Sequence, residues 1–214
     1  GGAGTDTIDI NYSNVVFDNG TMQPIKVLLT FGSNFVTQIE GFVSVTASNV
    51  ERLVFRGPEG ADTIQGGALN DIIIGNGGND TLRGGDGDDF LEVDLRVAGE
   101  DKDNIFGDGG NDTLGMRMET GVAKDTDDWV VAAGMAPTKN GVAVANVTSV
   151  EAFDVYIAKG KSAVLTGGAF ADTATVLLSG TGTFNMGGGD DTLLASTTTT
   201  DALLVNGGDG KDNL

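Results

Sequence analysis

The chain has 214 residues, 31 acidic and 12 basic, for a formal net charge of -19. So few cations exclude general nucleic-acid binding and argue against anionic membrane surfaces. With no Cys and no His, disulfides, histidine acid–base chemistry and most zinc sites are also excluded.

Residues 1–56 read as a repeat stub followed by a β-rich spacer. The stub GGAGTDTID (1–9) carries Gly1, Gly2, Gly4 and Asp6. TIDINYS (7–13) alternates polar and apolar residues. IKVLLTF (25–31), FVTQIEGFVSV (35–45) and NVERLVF (49–55) are rich in β-branched and aromatic residues, and all four predict strands. No cleavable signal-peptide pattern appears in the first residues given. Gly1 falls inside a repeat and Leu214 stops short of finishing one, so the chain reads as a segment of a longer protein. No apolar run reaches the roughly 20 residues needed to span a bilayer.

Residues 57–115 set an aspartate and, two residues later, an aliphatic residue on a nine-residue period. GPEGADTIQ (57–65) supplies Gly57, Gly60 and Asp62; GGALNDIII (66–74) supplies Gly66, Gly67, Asn70 and Asp71. GNGGNDTLR (75–83) supplies Gly75, Gly77, Gly78 and Asp80, and GGDGDDFLE (84–92) supplies Gly84, Gly85, Gly87 and Asp89. After an interruption, AGEDKDNIF (98–106) is degenerate but keeps Asp103, and GDGGNDTLG (107–115) offers Gly107, Asp108, Gly110 and Asp112. A disordered acidic tract would need no aliphatic residue at a fixed offset from each aspartate.

Residues 116–166 form a second spacer, with strands predicted in WVVAAGM (129–135), GVAVANV (141–147) and VEAFDVYIA (150–158). GMAPTKNG (134–141) and STTTT (196–200) read as loops, and AKDTDD (123–128) as a solvated turn. Residues 167–214 form a weaker block: GGAFADTAT (167–175), MGGGDDTLL (186–194) with Gly187, Gly189 and Asp191, and GGDGKDNL (207–214) with Gly207, Gly208, Gly210 and Asp212. TATVLLSG (173–180) reads as a strand. VTQIEGF (36–42) recurs as VTSVEAF (147–153), and GPEGADT (57–63) as GGAFADT (167–173). This predicts two tandem units of about 110 residues, with Glu40 equivalent to Glu151.

The nine-residue pattern matches G-G-x-G-x-D-x-U-x, U being a large aliphatic residue, a known calcium-binding consensus. On these motifs the chain resembles the repeats-in-toxin (RTX) family of bacterial secreted proteins. The resemblance implies an all-β, right-handed parallel β-roll or β-helix solenoid, with Ca²⁺ between turns and wider coils in the spacers. Bare turns of six residues would alternate with three-residue strands. Residues 18 apart would stack at about 4.8 Å, Asp62 on Asp80 along one edge and Asp71 on Asp89 along the other. Ile64 with Leu82 and Ile73 with Leu91 would line two facing sheets. Oxygen-only donors suit a hard cation, Ca²⁺ rather than Mg²⁺. One aliphatic residue in nine contributes about 1.5–3 kcal/mol. Ordering nine backbones costs about 1–2 kcal/mol each, so the ion must supply folding energy.

The functional expectation is a calcium-folded structural solenoid of a secreted surface-layer, adhesin or matrix protein, able to self-associate. The alternative is the carrier region of a secreted toxin or hydrolase whose active domain lies elsewhere. No catalytic residues are predicted. Glu40 and Glu151 are too far apart along a repeating chain to form one site, Trp129 reads as core, and Arg52, Arg56, Arg83 and Arg96 read as partners of nearby acids. The glycine-rich runs lack the Lys-Ser/Thr pair of a phosphate loop.

Overall fold

The computed structural model describes residues 4–11, 25–28, 35–39, 46–47, 51–58, 60–94, 102–118 and 126–214. Every regular element among them is a strand. In the first half these are β1 (Thr7–Asn11), β2 (Ile25–Leu28), β3 (Phe35–Ile39), β4 (Thr46–Ala47), β5 (Arg52–Arg56), β6 (Thr63–Gln65), β7 (Ile72–Ile74), β8 (Thr81–Asp86), β9 (Phe90–Asp94) and β10 (Asp103–Gly109). In the second half come β11 (Thr113–Met118), β12 (Asp128–Ala132), β13 (Thr138–Lys139), β14 (Val142–Ala143), β15 (Ala145–Thr148), β16 (Ala152–Gly160), β17 (Ser162–Thr166), β18 (Thr173–Leu178), β19 (Gly182–Asn185), β20 (Thr192–Thr197) and β21 (Leu203–Asn206).

One long sheet, in the order β1-β5-β7-β9-β11-β16-β18-β20, is parallel throughout. The chain crosses from it to a second layer and back, which is the winding of a parallel β-roll. That second layer is divided into two sheets, β15-β10-β8-β6-β2-β3-β4 and β14-β13-β12-β17-β19-β21. Side chains from both layers meet in a single hydrophobic cluster, including Phe55, Ile73 and Leu91 from the long sheet and Ile64, Leu82 and Phe184 from the others.

The 18-residue step holds where the nonapeptides are uninterrupted. Val54 pairs with Ile72 and Ile72 with Phe90, while Ile64 pairs with Leu82. Between the repeats 84–92 and 98–106 the coil step lengthens to 23 residues, Phe90 to Thr113 and Leu82 to Ile105, without breaking the register of inward aliphatics. Ile64, Ile73, Leu82, Leu91 and Ile105 are all buried. Period-two alternation accounts for this, since only the central residue of a three-residue strand such as β7 faces inward.

The tandem unit differs from its sequence-based register. The segments 57–62 and 167–172 occupy opposite edges of the roll, one entering β6 of the second layer and the other entering β18 of the long sheet. Likewise, 36–39 lie in antiparallel β3, whereas 147–148 lie in parallel β15. The structural correspondence is instead β1 with β11, β5 with β16, β7 with β18 and β9 with β20. It extends to β2-β3-β4 with β12-β13-β14, since β2 and β12 each run parallel to the next coil (β6 or β17) and carry two antiparallel strands on the other side. Glu51 and Glu151 are then equivalent, 100 residues apart. Glu40 lies outside the described residues. Short motifs of Asp, Thr and Leu recur on both edges, so sequence similarity alone aligned the wrong ones.

The spacers do more than widen the coils. Each ends a sheet with an antiparallel flap. Residues 134–141, expected to be a loop, contain β13, and a two-residue Asn140-Gly141 turn with φ of 52° and 76° joins it to β14. Asn-Gly favours this hairpin because both residues tolerate positive φ. In 196–200, Ser196 and Thr197 finish β20 and the bend follows. Residues 123–125 and 95–101, with Arg96, lie outside the described residues, and the rest of 123–128 is not the expected solvated turn, since Asp127 is buried and Asp128 begins β12.

Candidate metal centre

Each glycine-rich turn ends on an aspartate whose side chain turns inward. Asp62, Asp71, Asp80, Asp89, Asp103, Asp112, Asp172 and Asp191 are each at most 2% exposed. A buried carboxylate must find hydrogen-bond donors, and here the preceding coil supplies one. On the edge where strands enter the long sheet, the backbone N–H of Asp71 donates to Asp89 Oδ1 at 2.7 Å and that of Asp89 donates to Asp112 Oδ1 at 2.8 Å. Farther along, the N–H of Asp172 donates to Asp191 Oδ1 at 2.8 Å and that of Asp191 donates to Asp212 Oδ1 at 3.2 Å. On the opposite edge, Asp62 N–H donates to Asp80 and Asp80 N–H to Asp103, both at 2.8 Å.

Glutamates close the ladder where a spacer returns. Asp6 N–H donates to Glu51 Oε2 at 2.9 Å, and Asp112 N–H to Glu151 Oε2 at 3.0 Å. In both places the acid's backbone N–H and that of the next residue share one carbonyl, Asp6 O in the first and Asp112 O in the second. Leu53 N–H then donates to Asp71 and Phe153 N–H to Asp172. The edge therefore runs Asp6, Glu51, Asp71, Asp89 and then Asp112, Glu151, Asp172, Asp191, ending at Asp212. Asp172, Glu51 and Glu151 were not among the candidate residues. The signal for them was a carboxylate directly before a strand, without a glycine turn in front of either glutamate.

A Glu151→Ala variant should lose about 1–2 kcal/mol of unfolding free energy at saturating Ca²⁺, because Asp112 N–H is left without its acceptor. Glu151→Gln keeps an acceptor and should lose less. Urea titration of both checks this, and equal losses would show that the carboxylate is not acting through that hydrogen bond.

The glycines fit this geometry in two ways. At the first turn position, Gly57, Gly66, Gly75, Gly84, Gly107, Gly167 and Gly207 each lie so close to the carboxylate five residues on that a Cβ has no room. Met186 takes that position in its own turn and reaches into the core instead. In the turns 75–80, 84–89, 107–112, 186–191 and 207–212 the second and fourth positions are left-handed, as at Gly85 (φ 117°) and Gly87 (φ 113°). Asn76 (φ 65°) and Asp108 (φ 72°) fill second positions, and Asn and Asp tolerate this region better than other L-residues.

The fourth position separates two kinds of turn. Leu69 and Phe170 occupy it in 66–71 and 167–172. There Gly67 N–H and Gly168 N–H donate back to the second oxygen of Asp71 and Asp172. Both oxygens of these acids therefore already hold backbone donors. The expected ligand set Gly66, Gly67, Asn70 and Asp71 differs accordingly: its aspartate is internally capped, and Asn70 Oδ1 accepts Asp88 N–H of the next coil. Where glycine holds the fourth position, Oδ2 of Asp89, Asp112 and Asp191 is buried with no hydrogen-bond partner.

Burial dominates the acidity of these groups. It pushes Asp89 up to about 7, with Asp71 and Asp112 adding like-charge repulsion, and pushes Asp112 and Asp172 up to about 6. Asp71 and Asp191 are raised for the same reason. A stacked row of buried carboxylates with open oxygens is a poor arrangement alone and a good one around a divalent cation. No three acidic side chains converge among the described residues. A cation would therefore draw on carboxylates and turn carbonyls from two stacked turns, a hard all-oxygen set that suits Ca²⁺.

Residues beside the ladder take supporting places. Asn79, Asp88 and Asp190, one residue before ladder aspartates, accept the backbone N–H of Lys102, Asn111 and Lys211. The Asp108 carboxylate is held by Arg83 at 2.6 and 2.8 Å, and Arg83 lies over the Phe106 ring. Arg56 pairs with Asp9, and Arg52 donates to the Asn70 carbonyl. Trp129 is buried in the core. Gly1 and Gly2 lie outside the described residues.

A parallel roll whose turns stack buried carboxylates on two edges defines a calcium-binding β-roll protein. Residues 57–91 and 97–114 match the RTX calcium-binding nonapeptide repeat, in four copies. Over those residues the chain carries RTX calcium-binding repeats, and such repeats bind Ca²⁺. No curated protein and no solved structure matches the chain.

Proposed function

We propose that this chain is a calcium-folded structural solenoid of a secreted bacterial surface-layer, adhesin or matrix protein, and that it carries out no catalysis. The observation that carries this reading is the single carboxylate ladder running through both tandem units along one continuous sheet. A repeating body locked by metal ions suits a role in which length and rigidity are the function. Folding that waits for Ca²⁺ also suits type I secretion, in which the chain leaves a low-calcium cytoplasm unfolded and orders outside.

In this reading Ca²⁺ also binds between turns 186–191 and 207–212. Gly187, Gly189, Gly208 and Gly210 there repeat the left-handed geometry of the first unit, with φ between 94° and 137°. Self-association is supported by an outward row in the second facing sheet. Val130, Val164, Thr183 and Leu204 stand side by side, and the three aliphatics are 43%, 40% and 67% exposed. This row carries no charge in a chain of net charge -19, so two copies could meet there with little repulsion.

Electron microscopy of the intact secreted protein tests the reading. Lattices or filaments that form in Ca²⁺ and dissolve in chelator are expected. Dispersed particles in both conditions, each bearing a separate catalytic domain, would favour a carrier role instead.

A further inference from the structure

The two edges of the second unit are built differently. In the first unit the edge leaving the long sheet carries Asp62, Asp80 and Asp103, which precede or begin β6, β8 and β10. The matching edge of the second unit enters β12, β17, β19 and β21. Lys161, just before β17, stands where Asp62 stands before β6. The one buried acid on this edge among the described residues is Asp127, just before β12 and 4% exposed. Its backbone plays the ladder part, since its carbonyl accepts Lys161 N–H at 2.7 Å as the Asp62 carbonyl accepts Thr81 N–H.

Its carboxylate is treated differently. Lys139 Nζ lies 2.9 Å from Asp127 Oδ2, and Asn140 Nδ2 donates to Oδ1 at 3.2 Å. The Lys139 side chain is only 15% exposed and sits over the Trp129 ring at 5.3 Å from its centroid. The hairpin fixes it there: β13 pairs antiparallel with β12, setting Lys139 opposite Trp129. Asn140 also accepts Asp128 N–H and donates its own N–H back to the Asp128 carbonyl. A buried carboxylate needs a compensating cation and hydrogen bonds, and here the chain supplies both.

We propose that Lys139 is a tethered counter-ion that does for Asp127 what Ca²⁺ does for the glycine-turn carboxylates. The head of the second facing sheet, β12 with β17, is then ordered without calcium. It gives the roll a metal-independent end against which the calcium-dependent coils can assemble. The antiparallel flap thereby gains a purpose, which is to deliver one ammonium group to one ladder position.

Hydrogen exchange on the full chain in excess chelator, read by mass spectrometry, tests this. Amides of β12 and β17 should exchange at least about tenfold more slowly than those of β6 and β8. Lys139→Met should remove that difference. The double variant Asp127→Asn/Lys139→Met, which removes both charges, should restore it. Equal exchange of the two regions in the wild-type chain, retained protection in Lys139→Met, or no recovery in the double variant would each overturn the proposal. Slow exchange of β6 and β8 in chelator is a different outcome, which would overturn calcium-dependent folding of the repeats instead.

Discussion

Excess chelator should remove most of the β-sheet circular-dichroism signal of the calcium-loaded chain, and millimolar Ca²⁺ should restore it. The coils from β5 to β11 offer thin aliphatic support, with one inward residue in each of β6, β7 and β8. Against that they bury Asp62, Asp71, Asp80, Asp89, Asp103 and Asp112. Neighbouring carboxylates one coil apart repel by about 1–4 kcal/mol per pair, depending on effective dielectric. Each filled site, at a free-ion concentration 100 times its Kd, adds about 2.7 kcal/mol to the folded state. Losing several such contributions exceeds the margin of a typical domain, about 5–15 kcal/mol. An unchanged spectrum in chelator would mean that the aliphatic ladder folds unaided and that the cation is a passenger.

Lowering the pH should substitute in part for calcium. The carboxyl of Asp89 titrates near 7 in the folded chain and those of Asp112 and Asp172 near 6, against an ordinary aspartate value of 3.8. Folded pKa values above the unfolded ones mean that the folded state binds more protons between about 4 and 7. Stability of the calcium-free chain therefore falls as pH rises through that window and is regained on acidification. In chelator, the β-sheet circular-dichroism signal should be partly regained between pH 7 and pH 5. In saturating Ca²⁺ the dependence should weaken or reverse, because protons now compete with the ion for the same oxygens. Asp89→Asn should flatten the chelator profile. A calcium-free β-sheet signal that falls on acidification would show that these carboxylates are ionised and stabilised by something other than a cation.

Within the roll that the family resemblance implies, the nonapeptide period was enough to pair Asp62 with Asp80, Asp71 with Asp89 and Ile64 with Leu82. A strict repeat constrains neighbours directly: equal chain length per coil returns each residue above its predecessor. The same logic failed for the longer unit. Matching 57–63 to 167–173 joined opposite edges of the roll, because both edges use the same turn chemistry and only the strand pairing tells them apart. Glu51 and Glu151 were hidden for a related reason. Their role is set by which coil they close, across spacers whose lengths no local pattern fixes. Asp71 and Asp89 looked interchangeable, yet Leu69 instead of a fourth-position glycine lets Gly67 N–H fold back and cap one of them.

The family resemblance carried by the nonapeptide motif implied that this chain winds as a roll, while composition and spacing indicated that its turns are acidic and glycine-rich and that a hard cation completes them, because those properties depend on residues close in sequence. Which edge each acid joins, which oxygens remain open and which carboxylate already owns a lysine were settled only in three dimensions. The edges depend on contacts between coils 18 to 45 residues apart, the lysine on a hairpin that brings Lys139 back to Asp127, and one capped oxygen on a turn that folds Gly67 N–H onto Asp71.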